Sequence, residues 1–231
     1  MYYSFMKKAR KCAADDLHIY ETFINSFEWT AAINREKIFD LDAIVFADTH
    51  GHFSQRDRFE EFIYKHSKYD VCILLGDVAY EDIDMIMQYV PDYKMMSVLG
   101  NHDSPDLLRH FGLTDLNGKL VEYKGVRFAG MGGSHRYKRG NWPMMTQCES
   151  LELCLDMIRT QEAADILITH DKAFFNAEYD IAHTGLAGIT TYVNACNPIY
   201  HLHGHQHVKR LEHYKNGTIE KSVFGAEYIK L

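Results

Sequence analysis

Five apolar runs of this chain each end in groups able to bind a cation. AIVFA (43–47) is followed by Asp48, Thr49 and His50, and VCILL (71–75) by Gly76 and Asp77. MMSVL (95–99) is followed by Gly100, Asn101, His102 and Asp103. DILIT (165–169) is followed by His170, and PIYHLH (198–203) by Gly204, His205, Gln206 and His207. Carboxylates, a carboxamide and imidazoles, without thiolates, suit hard or borderline divalent ions such as Mn²⁺, Fe²⁺ or Zn²⁺. The seven groups Asp48, His50, Asp77, Asn101, His170, His205 and His207 are too many for one ion and suit two that share a ligand. A lone Gly-Asp or Asn-His is more often a turn or a cap. The weight lies in the ordered set, one member after each apolar run.

Those runs alternate with helical stretches, which signals βαβ units and a largely parallel inner sheet in an α/β fold. The carboxyl ends of parallel strands lie side by side, so groups far apart in sequence meet at one edge. Helices are expected near 55–66, 81–90, 105–111, 147–161 and 186–195. Ser104 and Pro105 form a helix start, and Thr146 with Glu149 a capping box. Asn216-Gly217 signals a type I′ hairpin between 208–215 and 218–224. Loops 132–146 and 170–185 are long enough to suggest function. Residues 1–41 read as a helical segment, with Leu17, Tyr20, Ile24 and Phe27 at helical spacing and Asp15 or Asp16 as its cap. This segment is expected to pack on the outside of a domain spanning 42–231, either covering a sheet edge or making an oligomer contact.

Histidine occupies alternate positions 201, 203, 205 and 207, which on a regular strand would face one way. Gly204 lets the chain turn, so His205 and His207 are read as ligands on the loop. His203 and His201 belong to the strand, His203 as a satisfied histidine within the sheet or as a partner of a ligand.

Composition bounds the rest. A chain of 231 residues with 46% hydrophobic content can bury a large core. The net charge of −7 argues against non-specific binding of nucleic acid or anionic membrane. The basic group Lys7, Lys8, Arg10 and Lys11 reads as a solvated helix end. No apolar stretch resembles a leader or a membrane span. The five cysteines form no CxxC motif and read as reduced thiols of a cytoplasmic protein.

The set D-x-H, G-D, G-N-H-D, H, G-H-x-H, in this order over about 43–224, resembles the calcineurin-like metallophosphoesterases. The resemblance implies a four-layer α/β/β/α sandwich with two mixed sheets and a dinuclear metal site, manganese for preference, with iron or zinc as alternatives. Asp48, His50 and His207 would hold one metal, Asp77 would bridge, and Asn101, His170 and His205 would hold the other. A metal-bridging hydroxide would attack a phosphomonoester or phosphodiester in line, and His102 would assist the leaving group. Asp103 would either orient His102 or cap the following helix. The loop GGSHRYKRGNW (132–142) offers Arg136 and Tyr137 as contacts to a small-molecule or nucleotide phosphate. His52 is read either as a further contact or as a solvated residue. The competing readings are a DNA nuclease of the same superfamily and a non-catalytic scaffold.

Overall fold

The computed structural model describes residues 17–29, 37, 39–51, 56–177 and 179–231. Four strands build the smaller sheet: β1 (Asp42–Ala47), β2 (Val71–Leu74), β3 (Met95–Ser97) and β12 (Gly225–Lys230). Their order is β12-β1-β2-β3, parallel from β1 to β3, with β12 antiparallel on β1. Six strands build the larger sheet: β4 (Leu120–Tyr123), β5 (Val126–Met131), β8 (Ile166–Thr169), β9 (Tyr200–His203), β10 (Arg210–His213) and β11 (Ile219–Ser222). Their order is β10-β11-β9-β8-β5-β4, with the four central strands parallel and both edges antiparallel. Two short strands, β6 (Ser134–His135) and β7 (Met144–Met145), pair within the loop after β5.

Side-chain alternation explains the layering. Ala43, Val45 and Ala47 of β1 meet Val126 and Phe128 of β5, Ile166 and Ile168 of β8, and Leu202 of β9 in a core between the sheets. The intervening Ile44 and Phe46 pack outward with Phe59 and Ile63 of α2 (Arg56–Lys65), Ile83 and Ile86 of α3 (Tyr80–Met87) and Leu107 and Leu108 of α4 (Leu107–His110). On the other side, Ala129 and Leu167 face Cys154 and Met157 of α5 (Gln147–Thr160) and Ile189 and Val193 of α6 (Ala187–Cys196). The result is the four-layer α/β/β/α sandwich, because both faces of each buried sheet carry apolar residues.

The helix α1 (Leu17–Asn25) lays Tyr20, Phe23 and Ile24 against Leu151 of α5, Ala187 of α6 and Phe174. It is the one described helix before β1; residues 26–29, 37 and 39–41 are not helical, and the expected cap at Asp15 or Asp16 lies outside the described residues. The capping box is present: Thr146 accepts from the Glu149 N–H, and Glu149 accepts from the Thr146 N–H at 2.7 Å. The helix after Ser104 starts late, at Leu107, behind a turn closed by Leu107 N–H donating to the Ser104 carbonyl.

The C-terminal hairpin departs from the type I′ expectation. Gly217 has φ 88°, but Asn216 is not in the left-handed region, and the loop runs from 214 to 218. Asn216 instead uses its side chain, donating to the Val193 carbonyl and accepting from the Thr218 N–H. The turn closes with the Gly217 N–H donating to the Tyr214 carbonyl, which makes the loop longer than the two residues of a type I′ turn.

Candidate metal centre

The carboxyl ends of β1, β2, β8 and β9 are stitched together. The Asp48 N–H donates to the Gly76 carbonyl and the His50 N–H to the Asp77 carbonyl, joining the two loops of the smaller sheet. In the larger sheet the Gly204 N–H donates to the His170 carbonyl. Two bonds then cross between sheets: His205 N–H to Asp48 Oδ2 at 2.7 Å, and His170 Nδ1 to the Leu75 carbonyl at 2.8 Å.

The loops tolerate little change. A Cβ at Gly100 would lie 2.1 Å from Asp77 Oδ1, and one at Gly76 would lie 2.7 Å from His170 Nδ1. Asp48, His50, Asp77, His205 and His207 all have φ between 46° and 65°. Such left-handed backbone costs about 1–3 kcal/mol per non-glycine residue, and it persists where the surroundings enforce it.

These bonds use half of each key carboxylate. Asp77 Oδ1 accepts from the His102 N–H at 2.8 Å, and Asp48 Oδ2 from His205. The other oxygens, Asp48 Oδ1 and Asp77 Oδ2, are buried without a hydrogen-bond partner. Beside them stands His170, whose Nδ1 must donate, since Leu75 offers only a carbonyl. Burial lowers its pKa to about 4, so the ring is neutral and Nε2 presents a lone pair. That lone pair lies 2.9 Å from Asn101 Oδ1 and 3.6 Å from Asp77 Oδ2. Asn101 is oriented by donating its Nδ2–H to the Tyr137 hydroxyl at 3.0 Å. Three acceptors with no proton among them repel, and a cation resolves the conflict.

A second cluster sits alongside. His50 Nε2 and His207 Nε2 are 3.5 Å apart, and His207 Nε2 is 3.6 Å from Asp48 Oδ1. Ligand bonds of about 2.1 Å place neighbouring donor atoms roughly 3–3.4 Å apart, near the 2.9–3.6 Å separations of these atoms. The triads Asp48–His50–His207 and Asp48–Asp77–His170 each gather their ligand atoms within 4.8 Å, and Asp48 belongs to both. The resemblance named Asp77 as the shared residue; in this geometry Asp48 is the one common to the triads. Burial, then the neighbouring Asp77, pushes the Asp48 carboxyl up to about 8. Divalent charge at this point would restore the carboxylate.

The remaining site residues are placed as follows. The His205 ring is 4.9 Å from that of His170, and its Nε2 is engaged by the Ala182 carbonyl at 2.7 Å, which leaves Nδ1 for a ligand role. The His102 ring is 5.8 Å from that of His50; burial lowers its pKa, with Lys138, His50 and His205 adding to the effect against Asp77. Asp103 Oδ2 accepts from the Gly100 N–H at 2.7 Å and the Asp77 N–H at 2.9 Å. It clamps two ligand loops, a role different from both expected ones. Arg136 pairs with Glu149 at 2.9 Å and donates to the Met144 carbonyl, so its guanidinium anchors the loop to α5. Tyr137 reaches the centre through Asn101, and His52 lies outside the described residues.

Further residues surround the centre. Asp82 on α3, buried, accepts from Thr49 Oγ1 and the Gly51 N–H and holds the first loop. The His183 ring lies tilted against that of His205 at 4.7 Å, and Phe224 stacks on His207 at 5.3 Å. Lys138 lies over the rings of Tyr137 and Trp142. Asp82 sits at a helical spacing indistinguishable from a surface acid, so only the fold reveals it.

The model of the calcineurin-like phosphoesterases matches residues 41–209, well over half of the chain. No curated protein sequence is significantly similar. Among solved structures, a protein of Thermus thermophilus superposes with a TM-score of 0.57 at 12% identity, covering 83% of this chain and 99% of that one. The phosphopantetheinyl hydrolase of Mycobacterium tuberculosis gives 0.55 at 13%, covering 80% and 89%. A hypothetical protein, also of Thermus thermophilus, gives 0.53 at 15%, covering 80% and 76%. At these identities the likeness concerns the fold alone. Motif order, sandwich architecture, convergent acceptors and family match agree: this chain belongs to the calcineurin-like phosphoesterase family, enzymes that hydrolyse phosphate esters with the help of divalent metal.

Proposed function

We propose that the protein is a dinuclear phosphohydrolase of small phosphate esters, with residues 42–231 as the catalytic domain and 1–41 as an appendage. The observation that carries this is the pair of orphaned buried oxygens, Asp48 Oδ1 and Asp77 Oδ2, inside two overlapping triads. Burying a carboxyl oxygen without a partner is costly, and a fold that leaves two together has another use for them. Asp48, His50 and His207 would hold one ion and Asn101, His170 and His205 the other, with Asp77 as the bridge and Asp48, common to both triads, near enough to each that its loss would empty the site. Manganese is the first choice, with iron or zinc also compatible with these donors. Bound ions would supply positive charge for the phosphate oxygens and lower the pKa of water at the site.

The chain's own groups do the rest. His102, beside Asp77, gives a proton to the departing alkoxide. Tyr137 holds Asn101 in its ligand orientation. The Tyr137, Lys138 and Trp142 loop on one side and Phe224 and His183 on the other offer aromatic and cationic walls for a nucleotide or aromatic leaving group. No described helix is long and apolar enough to cross a membrane. None of the described cysteines is in a disulfide, and a cytoplasmic setting is our reading of the cysteine pattern in the sequence.

The test is hydrolysis of p-nitrophenyl phosphate and its bis ester by Mn²⁺-loaded protein. Turnover on either supports the reading, and a preference for the bis ester makes it a phosphodiesterase. A fully metal-loaded protein inert on both and on nucleotides would favour the scaffold.

A further inference from the structure

We propose that His203 and Glu220, neither of them a ligand, are positioning residues that aim the His205–His207 turn at the metals. This rests on the metal reading above. The peptide between Gly204 and His205 is pinned at both ends. Its N–H donates to Asp48 Oδ2 at 2.7 Å, and its carbonyl, which also accepts from the Gln206 N–H, lies 3.0 Å from His203 Nδ1. A carbonyl can only accept, so His203 Nδ1 carries the proton. The other ring nitrogen, Nε2, is 2.9 Å from Glu220 Oε1. Both side chains are buried, so neither bond is shared with bulk water.

Register explains how they meet. On β11 Glu220 pairs with His201 of β9, and Ser222 with His203, so Glu220 and His203 are diagonal neighbours on one sheet face. That face looks away from the metal centre's inter-sheet side, and Leu202 between the two histidines points into the inter-sheet core. The pair reaches the centre through the Gly204 carbonyl, and Arg210 Nη2 also lies 3.4 Å from Glu220 Oε1. The turn needs such a support. His205 and His207 have φ 65° and 52°, and a Cβ at Gly204 would come 2.9 Å from Asp48 Oδ2. The peptide plane sets where the His205 ring points, and the carboxylate–imidazole tie fixes that plane from behind.

The experiment measures Mn²⁺ dissociation constants by titration calorimetry and the thermal midpoint in EDTA for wild type, Glu220→Leu, Glu220→Gln and His203→Asn. Glu220→Leu removes the acceptor and should weaken the Mn²⁺ complex about tenfold or more, the range seen when outer partners of metal ligands are lost. Glu220→Gln keeps an oxygen for His203 and should recover most of the affinity. His203→Asn, which keeps a donor near Gly204 but loses the tie to Glu220, should weaken binding too, and decides the matter if Glu220→Leu does not fold. A folded variant whose midpoint in EDTA falls while its Mn²⁺ affinity stays within about twofold of wild type would overturn the positioning role. A wild type that binds no Mn²⁺ would overturn the metal reading instead.

Discussion

Strand β9 carries His201 and His203, and the turn after it carries His205 and His207, yet the two pairs live under opposite rules. Every ring nitrogen of the strand pair has a protein partner. His201 Nε2 meets Thr169 Oγ1 at 2.8 Å, and Nδ1 meets the Tyr214 hydroxyl at 2.8 Å. Thr169 spends its own proton on the Asp171 carbonyl, so His201 Nε2–H donates to it and Nδ1 accepts from Tyr214. Burial, then neighbouring His203, holds the His201 pKa at about 3. Burial alone would raise Glu220, but His203, with Arg210, outweighs it and holds that carboxyl at about 2. Around the turn, by contrast, acceptors face acceptors and five backbones sit in the left-handed region. One network is closed by the protein itself; the other is left open for an ion. Completeness of hydrogen bonding, more than residue type, separates a structural histidine from a ligand.

The contrast breaks most sharply at Asp48. Asp48→Asn should abolish Mn²⁺ binding and reduce turnover by about three orders of magnitude or more, measured by metal analysis and p-nitrophenyl phosphate hydrolysis. The same change should raise the stability of the metal-free protein. The folded carboxyl titrates near 8 and the unfolded one near 3.8, so only the unfolded wild type ionises between these values. Wild-type stability relative to Asp48→Asn should therefore be undiminished below about pH 4 and fall steadily to about pH 8, as read from urea midpoints in EDTA.

Next in size is His102→Asn. Turnover should drop about 10²–10⁴-fold with metal content unchanged. Metal loss would move His102 into the ligand set, and an unchanged rate would remove it from catalysis.

On the closed side, His201→Leu should cost about 1–3 kcal/mol, by leaving Thr169 and Tyr214 without their partner, while Mn²⁺ affinity holds. Its pH signature has the opposite sign to that of Asp48. The wild-type imidazole is depressed to about 3, so the unfolded chain takes up a proton that the folded one refuses. The advantage of wild type over His201→Leu should be full above about pH 6.5 and shrink as the pH falls towards 3. The smallest effect is expected at Arg136→Ala. Its pair with Glu149 is half exposed, so the stability loss should stay within about 1 kcal/mol, with any change in KM revealing the loop's share in binding.

Much of the open region was legible in the sequence. Asp48, His50, Asp77, Asn101, His170, His205 and His207 each follow an apolar run, and parallel strands bring such ends together whatever the intervening chain. The partner groups were not legible. Glu220 lies in an alternating strand next to a hairpin and reads as a surface acid until register sets it beside His203. Asp103 offered two local roles, and the fold gave it a third, because the Asp77 N–H it clamps is 26 positions away. The strands of the inter-sheet core announced themselves through hydrophobicity; β12, GAEYIK, did not, since half-buried edge strands carry a mixed pattern. Asn216-Gly217 misled because the asparagine side chain found tertiary partners.

The central claim is that the orphaned oxygens exist to hold metal. Its most direct measurement is the number of ions retained by protein equilibrated with excess Mn²⁺ and then freed of unbound metal, counted by mass spectrometry. About two ions per chain in the wild type, with loss of both in Asp48→Asn, is the result a shared dinuclear centre requires. A folded wild type that retains none of Mn²⁺, Fe²⁺ or Zn²⁺ would contradict it.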